Sequence, residues 1–197
     1  MDTSWLYAVN HLARTTGWAH PLMLGYAEYG TALFAALLLA GWWTARRSAD
    51  PVRVAAAFSA GLSVLVAVAI NQPLVALAAR PRPYTAHPDL LILAHHSTDG
   101  SFPSDHATMA GAAAAGLLLV ARRLGLLAGL AAAAMAFSRV YIGAHYPADV
   151  AAGLAVGATT ALLVHVLTRR PLTHLVTAMA RTPLRPLIIS ATAATAR

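Results

Sequence analysis

The most reactive side chains of this sequence are concentrated between Ser138 and Asp149, in the stretch S-R-V-Y-I-G-A-H-Y-P-A-D. Arg139 supplies a fixed cation, His145 a titratable nitrogen and Asp149 a carboxylate. Because Pro147 suits the first position of a helix, the pattern places His145 just before a helix and Asp149 in its first turn. The carboxylate can then accept the Nδ1 proton and leave Nε2 as a nucleophile or base. A helix start that merely carries polar residues is the competing interpretation.

Two further polar stretches complete a set of residues suited to phosphoryl transfer. The stretch S-F-P-S-D-H opens another predicted helix, and its free backbone N–H groups near Ser104 and Asp105 form a ready anion site. Upstream, Arg80 and Arg82 alternate with prolines, on a stiff backbone that cannot continue a helix. Guanidinium groups, a helix N-terminus and two histidines together indicate a site that binds and attacks a phosphate.

In combination, the three stretches resemble the signature motifs of the type 2 phosphatidic acid phosphatase (PAP2) superfamily. The matching motifs are R-P beginning at Arg82, P-S-D-H ending at His106, and S-R-x5-H-x3-D from Ser138 to Asp149. The similarity extends over residues 70–165. Asp105, within H-x-x-D-x-S-F-P-S-D-H, makes the second motif similar to that of the BcrC-type undecaprenyl pyrophosphate phosphatases.

One position departs from the motif pattern. The family usually carries a lysine seven residues before the arginine of R-P, and this sequence has Val75 there. Because the chain contains no lysine at all, that phosphate contact is either absent or supplied by Arg80.

The resemblance implies a function and a role for each matching residue. The implied reaction removes the terminal phosphate of undecaprenyl pyrophosphate or a related polyprenyl pyrophosphate, without cofactor or metal, and recycles the carrier lipid of peptidoglycan synthesis. His145 would form a phosphohistidine, with Asp149 orienting and charge-balancing its ring. His106 would donate a proton to the leaving oxygen and later activate water. The residues expected to hold the phosphate oxygens are Arg82, Arg139, Ser138, Ser104, Asp105 and Arg80. Bacitracin resistance is the implied by-product.

The composition excludes several classes of protein. Hydrophobic residues make up 58% and charged residues 11%, whereas about a quarter of the residues in a soluble domain are charged. Long apolar runs with so little charge indicate a membrane protein. The absence of cysteine excludes thiol catalysis, disulfides and cysteine-ligated metals. The net charge of +7 comes from arginines clustered at the ends of apolar segments, so we expect the bilayer, and no nucleic acid, as a partner.

We therefore predict a single all-α domain, an integral membrane helical bundle with about five transmembrane helices and an N-terminal interfacial helix. Residues 1–17 carry apolar side chains at helical spacing and suit a helix lying in the membrane interface. Residues 168–197 carry an apolar stripe flanked by arginines and predict a basic amphipathic cytoplasmic tail. The apolar segments, each near the ~20 residues that cross a bilayer, are 21–43, 53–79, 103–121, 124–142 and 147–167.

Arginines set the expected orientation of these segments. The positive-inside rule assigns the arginine-bearing connections to the cytoplasm. Those connections contain Arg46, Arg47, Arg53, Arg122, Arg123, Arg169 and Arg170. The three motifs then meet on the opposite face, so we expect a protein of the bacterial cytoplasmic membrane with its active site on the extracytoplasmic side.

Polar residues outside the motifs supply two further candidates for substrate binding. Glu28 lies in the outer third of the first apolar segment, where a carboxylate is costly and by default a functional candidate. A salt bridge to Arg80 or another loop arginine is the alternative. His95, His96 and Asp99 suggest a metal site, but their spacing lacks a complete ligand set. We therefore expect no metal and treat His96, like Glu28, as a candidate substrate-binding residue.

Three competing functions follow from the same residues. The same chemistry could act on phosphatidic acid, phosphatidylglycerol phosphate or a prenylphosphoryl sugar phosphate. A phosphotransferase would pass the phosphohistidine's phosphate to another lipid. A non-catalytic lipid-binding or transport protein would need only the cations, so the presence of His145 and His106 argues against that class.

Overall fold

The protein was analysed as a computed structural model that describes residues 1–188. Within this range the chain consists of helices and connecting loops, with no strand. The helices are α1 (Asp2–Thr15), α2 (His20–Tyr29), α3 (Thr31–Ser48), α4 (Pro51–Ala78), α5 (Pro83–Ala86), α6 (Asp105–Val120), α7 (Arg122–Tyr141), α8 (Pro147–Met179) and α9 (Arg185–Ile188). The prediction of an all-helical fold is confirmed.

Helix α6 is the centre of the bundle, packed against α4, α7 and α8. Small residues make this packing close. A Cβ atom at Gly157 of α8 would lie 2.0 Å from the carbonyl oxygen of Thr108 in α6, so only glycine allows the two backbones to approach this far. Close approach through small residues is the usual way in which helices associate in lipid. The motif residues at the start of α6 are thereby fixed against the start of α8.

A buried amide joins α4 to the start of α6. Asn71 is fully buried, and its Nδ2 donates to the carbonyl oxygen of Pro103 at 3.1 Å and to Asp105 Oδ1 at 2.7 Å. Its Oδ1 accepts from the Thr108 hydroxyl at 3.2 Å. The amide holds the second motif in place by hydrogen bonds that cross between helices.

Within residues 1–188, three helices, α4, α7 and α8, are long and apolar enough to cross a membrane. Helices α2 and α3 make a fourth candidate if the bent pair counts as one span. This supports a membrane bundle with fewer clear spans than the five apolar segments suggested. Helix α6 has 16 residues, which at 1.5 Å per residue is about 24 Å, less than the ~30 Å hydrocarbon core. The predicted segment 21–43 is divided by a 54° bend.

The bend between α2 and α3 occurs at Gly30. A Cβ atom there would lie 2.4 Å from the carbonyl oxygen of Tyr26 and 2.7 Å from Met135 Cε of α7. The absence of a side chain therefore lets the junction press against α7. Hydropathy alone does not register this break, because apolar residues continue on both sides of the glycine.

The final long helix extends beyond its predicted end. Helix α8 runs without interruption to Met179, so Thr168 does not begin a separate helix. Val176, assigned to the lipid-facing stripe of the tail, is buried against Ala45 and Val54 at the ends of α3 and α4. The apolar stripe is covered by protein at this point. The part of the predicted tail at 189–197 lies outside the described residues.

Helix α1 packs onto the protein as well as presenting apolar side chains outward. Leu6 and Asn10 are buried, and the Asn10 amide bonds both the N–H and the carbonyl of Leu91, at 3.1 and 2.7 Å. Trp5 is 69% exposed, on the side left for a membrane interface. One face of α1 therefore holds the loop that leads into the second motif.

Candidate active site

His145 lies in the short connection between α7 and α8 and is almost completely buried. Its Nδ1 is 2.8 Å from the carbonyl oxygen of Ser101, and its Nε2 is 3.3 Å from Nη1 of Arg82. A guanidinium can only donate and a carbonyl can only accept, so Nδ1 carries the proton and Nε2 exposes its lone pair. Burial lowers the pKa of His145 more than the neighbouring Asp149 carboxylate raises it, and the nearby arginines lower it further. The ring is therefore a neutral imidazole whose unprotonated Nε2 accepts a hydrogen bond from Arg82.

Asp149 is fully buried at the third position of α8, where it caps its own helix. Its Oδ2 accepts the backbone N–H of Tyr146 at 2.8 Å and lies 3.7 Å from His145 Nδ1. The sequence predicted that this carboxylate would accept the Nδ1 proton, whereas the hydrogen bond goes to Ser101. The capping bond is the physical reason, because it holds the carboxylate back toward the helix end.

The Arg80 guanidinium is occupied by carboxylates rather than open toward a phosphate. It donates from Nη1 to Asp149 Oδ1 and from Nη2 to Asp2 Oδ2, both at 2.6 Å. Its Cζ also lies 3.8 Å from the centroid of the Tyr146 ring. Arg80 is thus already paired with two carboxylates, and Val75 at the lysine's position is buried. Both residues line one cavity with Arg82, so the assignment of Arg80 to the missing lysine contact stays a prediction.

Arg82 is buried beside the His145 ring and is paired with Asp99. Nη2 donates to Asp99 Oδ1 at 2.8 Å, Nε to the Asp99 carbonyl at 3.2 Å, and Nη1 to the Ala144 carbonyl at 3.2 Å. Burial would raise the pKa of Asp99, but hydrogen bonds from Ser97 and Arg82 and the arginine's charge outweigh it and lower the pKa. The Arg82 guanidinium beside the His145 ring is thus paired with the ionised Asp99 carboxylate.

His145, Arg82 and Asp99 line a cavity of about 240 Å³ that we call the catalytic pocket. Its lining brings together all three sequence motifs. The lining residues are Arg82, His95, Ser97, Asp99, Gly100, Pro103, Asp105, His106, Arg139 and His145. Arg139 Nε is buried and has no hydrogen-bond partner among the described residues. The pocket thus combines an unprotonated imidazole nitrogen, a second histidine and a guanidinium N–H without a partner in the described chain.

Three residues predicted to hold phosphate have other positions or partners. The Ser138 hydroxyl donates to the Met135 carbonyl of its own helix at 2.8 Å, which is the usual alternative for a serine inside a helix. The Ser104 N–H donates to the Asp149 carbonyl at 3.0 Å, and its buried hydroxyl has no partner within residues 1–188. Asp105 lines the pocket, but its Oδ1 accepts from Asn71 and Gln72.

A second cavity, of about 350 Å³, adjoins the catalytic pocket and shares His95, His106 and Arg139 with it. Glu28 lines this cavity, which we call the Glu28 cavity. Its Oε1 is 3.1 Å from His95 Nε2, yet the angles do not make a hydrogen bond and this buried atom has no other partner in the described chain. Glu28 therefore faces His95, and not Arg80, which was the alternative proposed for it from the sequence.

The three residues that suggested a metal site turn to different neighbours. His95 faces Glu28, Asp99 binds Arg82, and the His96 ring stacks on Tyr84 with centroids 4.4 Å apart. Among residues 1–188, no group of three or more potential ligands comes together. His96, a candidate for substrate binding, is not among the described residues that line the catalytic pocket.

Sequence reasoning missed three contributors to this site. Asp2 reaches Arg80 from 78 positions away, and Ser101 contributes only its backbone carbonyl, so neither carries a local signal. Asp99 was quoted within the H-x-x-D-x-S-F-P-S-D-H pattern and weighed as a metal ligand, but it was given no role in the pocket. Its place in the long connection between two motifs was the signal that could have assigned it to the pocket.

Comparison with known proteins agrees with this geometry. The PAP2 superfamily profile matches residues 56–172. The chain is 30% identical to the undecaprenyl-diphosphatase BcrC of Bacillus subtilis over 149 residues, covering 76% of this chain and 75% of the relative. It is 42% identical to the decaprenylphosphoryl-5-phosphoribose phosphatase of Mycobacterium tuberculosis over 106 residues, covering 53% and 57% of the two chains.

A solved structure shares the fold. The crystal structure of a transmembrane PAP2 type phosphatidylglycerolphosphate phosphatase from Bacillus subtilis superimposes with a TM-score of 0.62 at 23% identity, covering 84% of this chain and 85% of that one. The resemblance inferred from the three motifs is thus confirmed by the profile match and by relatives aligned over most of the chain. This chain belongs to the PAP2 superfamily and is a membrane phosphatase.

Proposed function

We propose that this phosphatase hydrolyses the terminal phosphate of a polyprenyl pyrophosphate, undecaprenyl pyrophosphate in particular, through a phosphohistidine on His145. The observation that carries the proposal is the unprotonated Nε2, which lies in a pocket with two arginines and a second histidine. The similarity to an undecaprenyl-diphosphatase over three quarters of both chains supports the choice of lipid.

In the first half of the reaction, the His145 Nε2 lone pair attacks the terminal phosphorus. The N–P bond forms as the bridging P–O bond breaks, and His106 gives its proton to the departing oxygen. Arg139 holds the equatorial oxygens, where charge redistributes in the transition state. Arg82 joins it once the phosphate replaces the Asp99 carboxylate.

In the second half, water attacks the phosphohistidine. His106, neutral after the first step, accepts a proton from the water as the new P–O bond forms and the N–P bond breaks. Inorganic phosphate leaves and Nε2 recovers its lone pair. Nδ1 keeps its proton and its hydrogen bond to the Ser101 carbonyl throughout. The Asp149 carboxylate, 3.7 Å from Nδ1, balances the positive charge of the phosphorylated ring.

The proposed location is the extracytoplasmic face of the bacterial cytoplasmic membrane, where the product can re-enter peptidoglycan synthesis. The distribution of arginines supports this orientation. Cysteines introduced into the cysteine-free chain test it. Thr98→Cys should react with a membrane-impermeant thiol reagent on intact cells and Ser48→Cys should not. The reverse labelling pattern would place the site in the cytoplasm.

The chemical proposal is tested by phosphate release from purified protein. We expect undecaprenyl pyrophosphate to be the best substrate in a panel with phosphatidic acid, phosphatidylglycerol phosphate and a prenylphosphoryl sugar phosphate. An alkaline quench during turnover should trap phosphate on His145, and His145→Ala should reduce turnover at least a thousandfold, the scale of losing a covalent nucleophile. Turnover by His145→Ala above one tenth of wild type would refute the nucleophile assignment.

The Glu28 cavity favours a second candidate, the phosphatase of a sugar-bearing lipid phosphate. Glu28 Oε1 is buried, makes no hydrogen bond in the described chain and has the His95 ring beside it. Such an oxygen can accept from a substrate hydroxyl and would repel a second phosphate. Glu28→Gln separates the two. If the leaving group carries hydroxyls into this cavity, activity on the sugar phosphate should fall while that on the pyrophosphate is unchanged or rises. An equal change on both substrates would exclude the cavity from substrate selection.

A further inference from the structure

Three charged side chains form a continuous line from helix α1 to the active site. Arg80 bridges Asp2 Oδ2 and Asp149 Oδ1, with both contacts at 2.6 Å. Asp2 Oδ1 also accepts the backbone N–H of Ala148, 2.9 Å away in the first turn of α8. The side chains of Asp2 and Arg80 are 27% and 30% exposed, whereas that of Asp149 is fully buried. The line therefore runs from the surface toward His145.

The charges along this line do not cancel. Asp149 is the carboxylate nearest to the His145 ring, at 3.7 Å, but Arg80 neutralises it. The Arg80–Asp149 ion pair alone has no net charge, so it would give little stabilisation to a phosphorylated His145 ring that keeps its Nδ1 proton. Asp2 adds the second carboxylate and returns the line of three to a net charge of −1.

Other groups around His145 increase the need for this negative charge. Arg82 is 3.3 Å from Nε2, and Arg139 lines the same pocket. Both are cations, and both oppose a positive charge on the ring. The remaining titratable groups that face the ring across the pocket are His95, Asp99, Asp105 and His106. Asp99 is committed to Arg82 and Asp105 to α4, so the charge nearest to Nδ1 is that of the Asp2–Arg80–Asp149 line.

We propose that Asp2 is a positioning residue of the reaction and that helix α1 is part of the catalytic apparatus. Through Arg80 it fixes the Asp149 carboxylate, and its own charge stabilises the positively charged phosphohistidine ring. The docking of α1 supports the role, because Asn10 binds the Leu91 backbone and Tyr7 donates to Asp89 at 2.9 Å. These contacts keep the first turn of α1 against the start of α8. The inference rests on the proposed phosphohistidine.

The test replaces the charge of Asp2 while keeping its hydrogen-bonding shape. Asp2→Asn should lower kcat for para-nitrophenyl phosphate roughly tenfold, the order expected for one partly screened charge, with KM nearly unchanged. The acid limb of kcat/KM should move to lower pH, because loss of a nearby negative charge disfavours the protonated imidazole. Asp2→Glu restores the charge and should recover most of the lost kcat.

A variant on the same helix separates this role from simple docking. Tyr7→Phe removes a contact between α1 and the loop but no charge, so its acid limb should stay at the wild-type position. Wild-type kcat and pH profile in Asp2→Asn, or equal changes in Asp2→Asn and Tyr7→Phe, would overturn the inference. Because the aryl substrate needs no particular lipid, failure of the polyprenyl assignment leaves this test intact. A wild-type enzyme that traps no phosphohistidine would instead refute the proposed mechanism.

Discussion

The two sides of the active-site region, which comprises the catalytic pocket, the Glu28 cavity and the residues behind His145, differ in how far their polar groups are already paired. On one side, which we call the paired side, His145, Arg82, Asp99, Asp149 and Arg80 bind one another or the backbone. On the other, the open side, Glu28 Oε1 and Arg139 Nε are buried without hydrogen-bond partners in the described chain, and His106 lies between the two cavities.

This difference indicates that the paired side holds side chains in fixed orientations and that the open side is where a ligand binds. A buried polar group left without a partner costs about 1–3 kcal/mol, so an unpaired cation and carboxylate are expected where a ligand supplies the missing partners. A fully paired network instead holds a side chain in one orientation. The proposed nucleophile, His145, belongs to the paired side, where its tautomer is fixed before substrate arrives. The groups proposed to receive phosphate and leaving group belong to the open side.

On the open side, the largest expected effect comes from His106. A general acid contributes about 10²–10⁴-fold, and most where the leaving oxygen carries charge poorly. His106→Ala should therefore lose roughly a thousandfold on a lipid substrate whose leaving oxygen needs a proton, but far less on para-nitrophenyl phosphate, whose anion departs unaided. The aryl substrate should also trap more phosphohistidine in this variant, because water activation is slowed.

His145→Ala is the matched control for that prediction, since it should be inactive on both substrates. Equal losses on the two substrates in His106→Ala, with no trapped intermediate, would contradict the general-acid role. In that case His106 would only position phosphate, or the roles of the two histidines would be exchanged.

The next effect compares the two arginines of the pocket. Arg139→Gln should lower kcat/KM roughly a hundredfold, as expected for one lost donor to the transition state. Its melting temperature in phosphate-free detergent should not fall, because a half-buried cation whose Nε has no partner in the described chain is removed. Arg82→Gln should lower activity and melting temperature together, since it breaks bonds to Asp99 and the Ala144 carbonyl. A larger fall in melting temperature for Arg139→Gln than for Arg82→Gln would contradict the assignment of Arg139 to the open side and Arg82 to the paired side.

Sequence patterns predicted much of this arrangement for identifiable reasons. Prolines and helix starts fix the local geometry of His145, Asp149, His106 and Arg82, so their sequence stretches could be predicted to meet, and the structure brings them together. Their catalytic roles stay predictions. The apolar runs predicted the helical class. The bend at Gly30 was missed because hydropathy averages over it. The Asp2–Arg80 contact and the Ser101 acceptor depend on tertiary packing, which has no periodic signal. Asn71, a lone amide in an apolar segment, binds Asp105 and Thr108 of a neighbouring helix, as expected for a polar side chain that must find a partner in lipid.

The smallest expected effect concerns the Arg82–Asp99 ion pair, which the proposed mechanism requires to break when phosphate binds. Asp99 occupies the Arg82 guanidinium that the proposed mechanism assigns to phosphate, so substrate has to displace a carboxylate before it binds. Asp99→Asn weakens that competitor while keeping a hydrogen-bond acceptor, and should lower KM roughly threefold to tenfold, the scale of a partly exposed ion pair, with kcat little changed. Asp89→Asn, on the same loop but bonded to Tyr7, is the control and should leave KM unchanged. A rise in KM for Asp99→Asn would mean that the carboxylate holds Arg82 in its binding orientation. Asp99 would then belong to the framework, and the paired side would bind substrate without losing a contact.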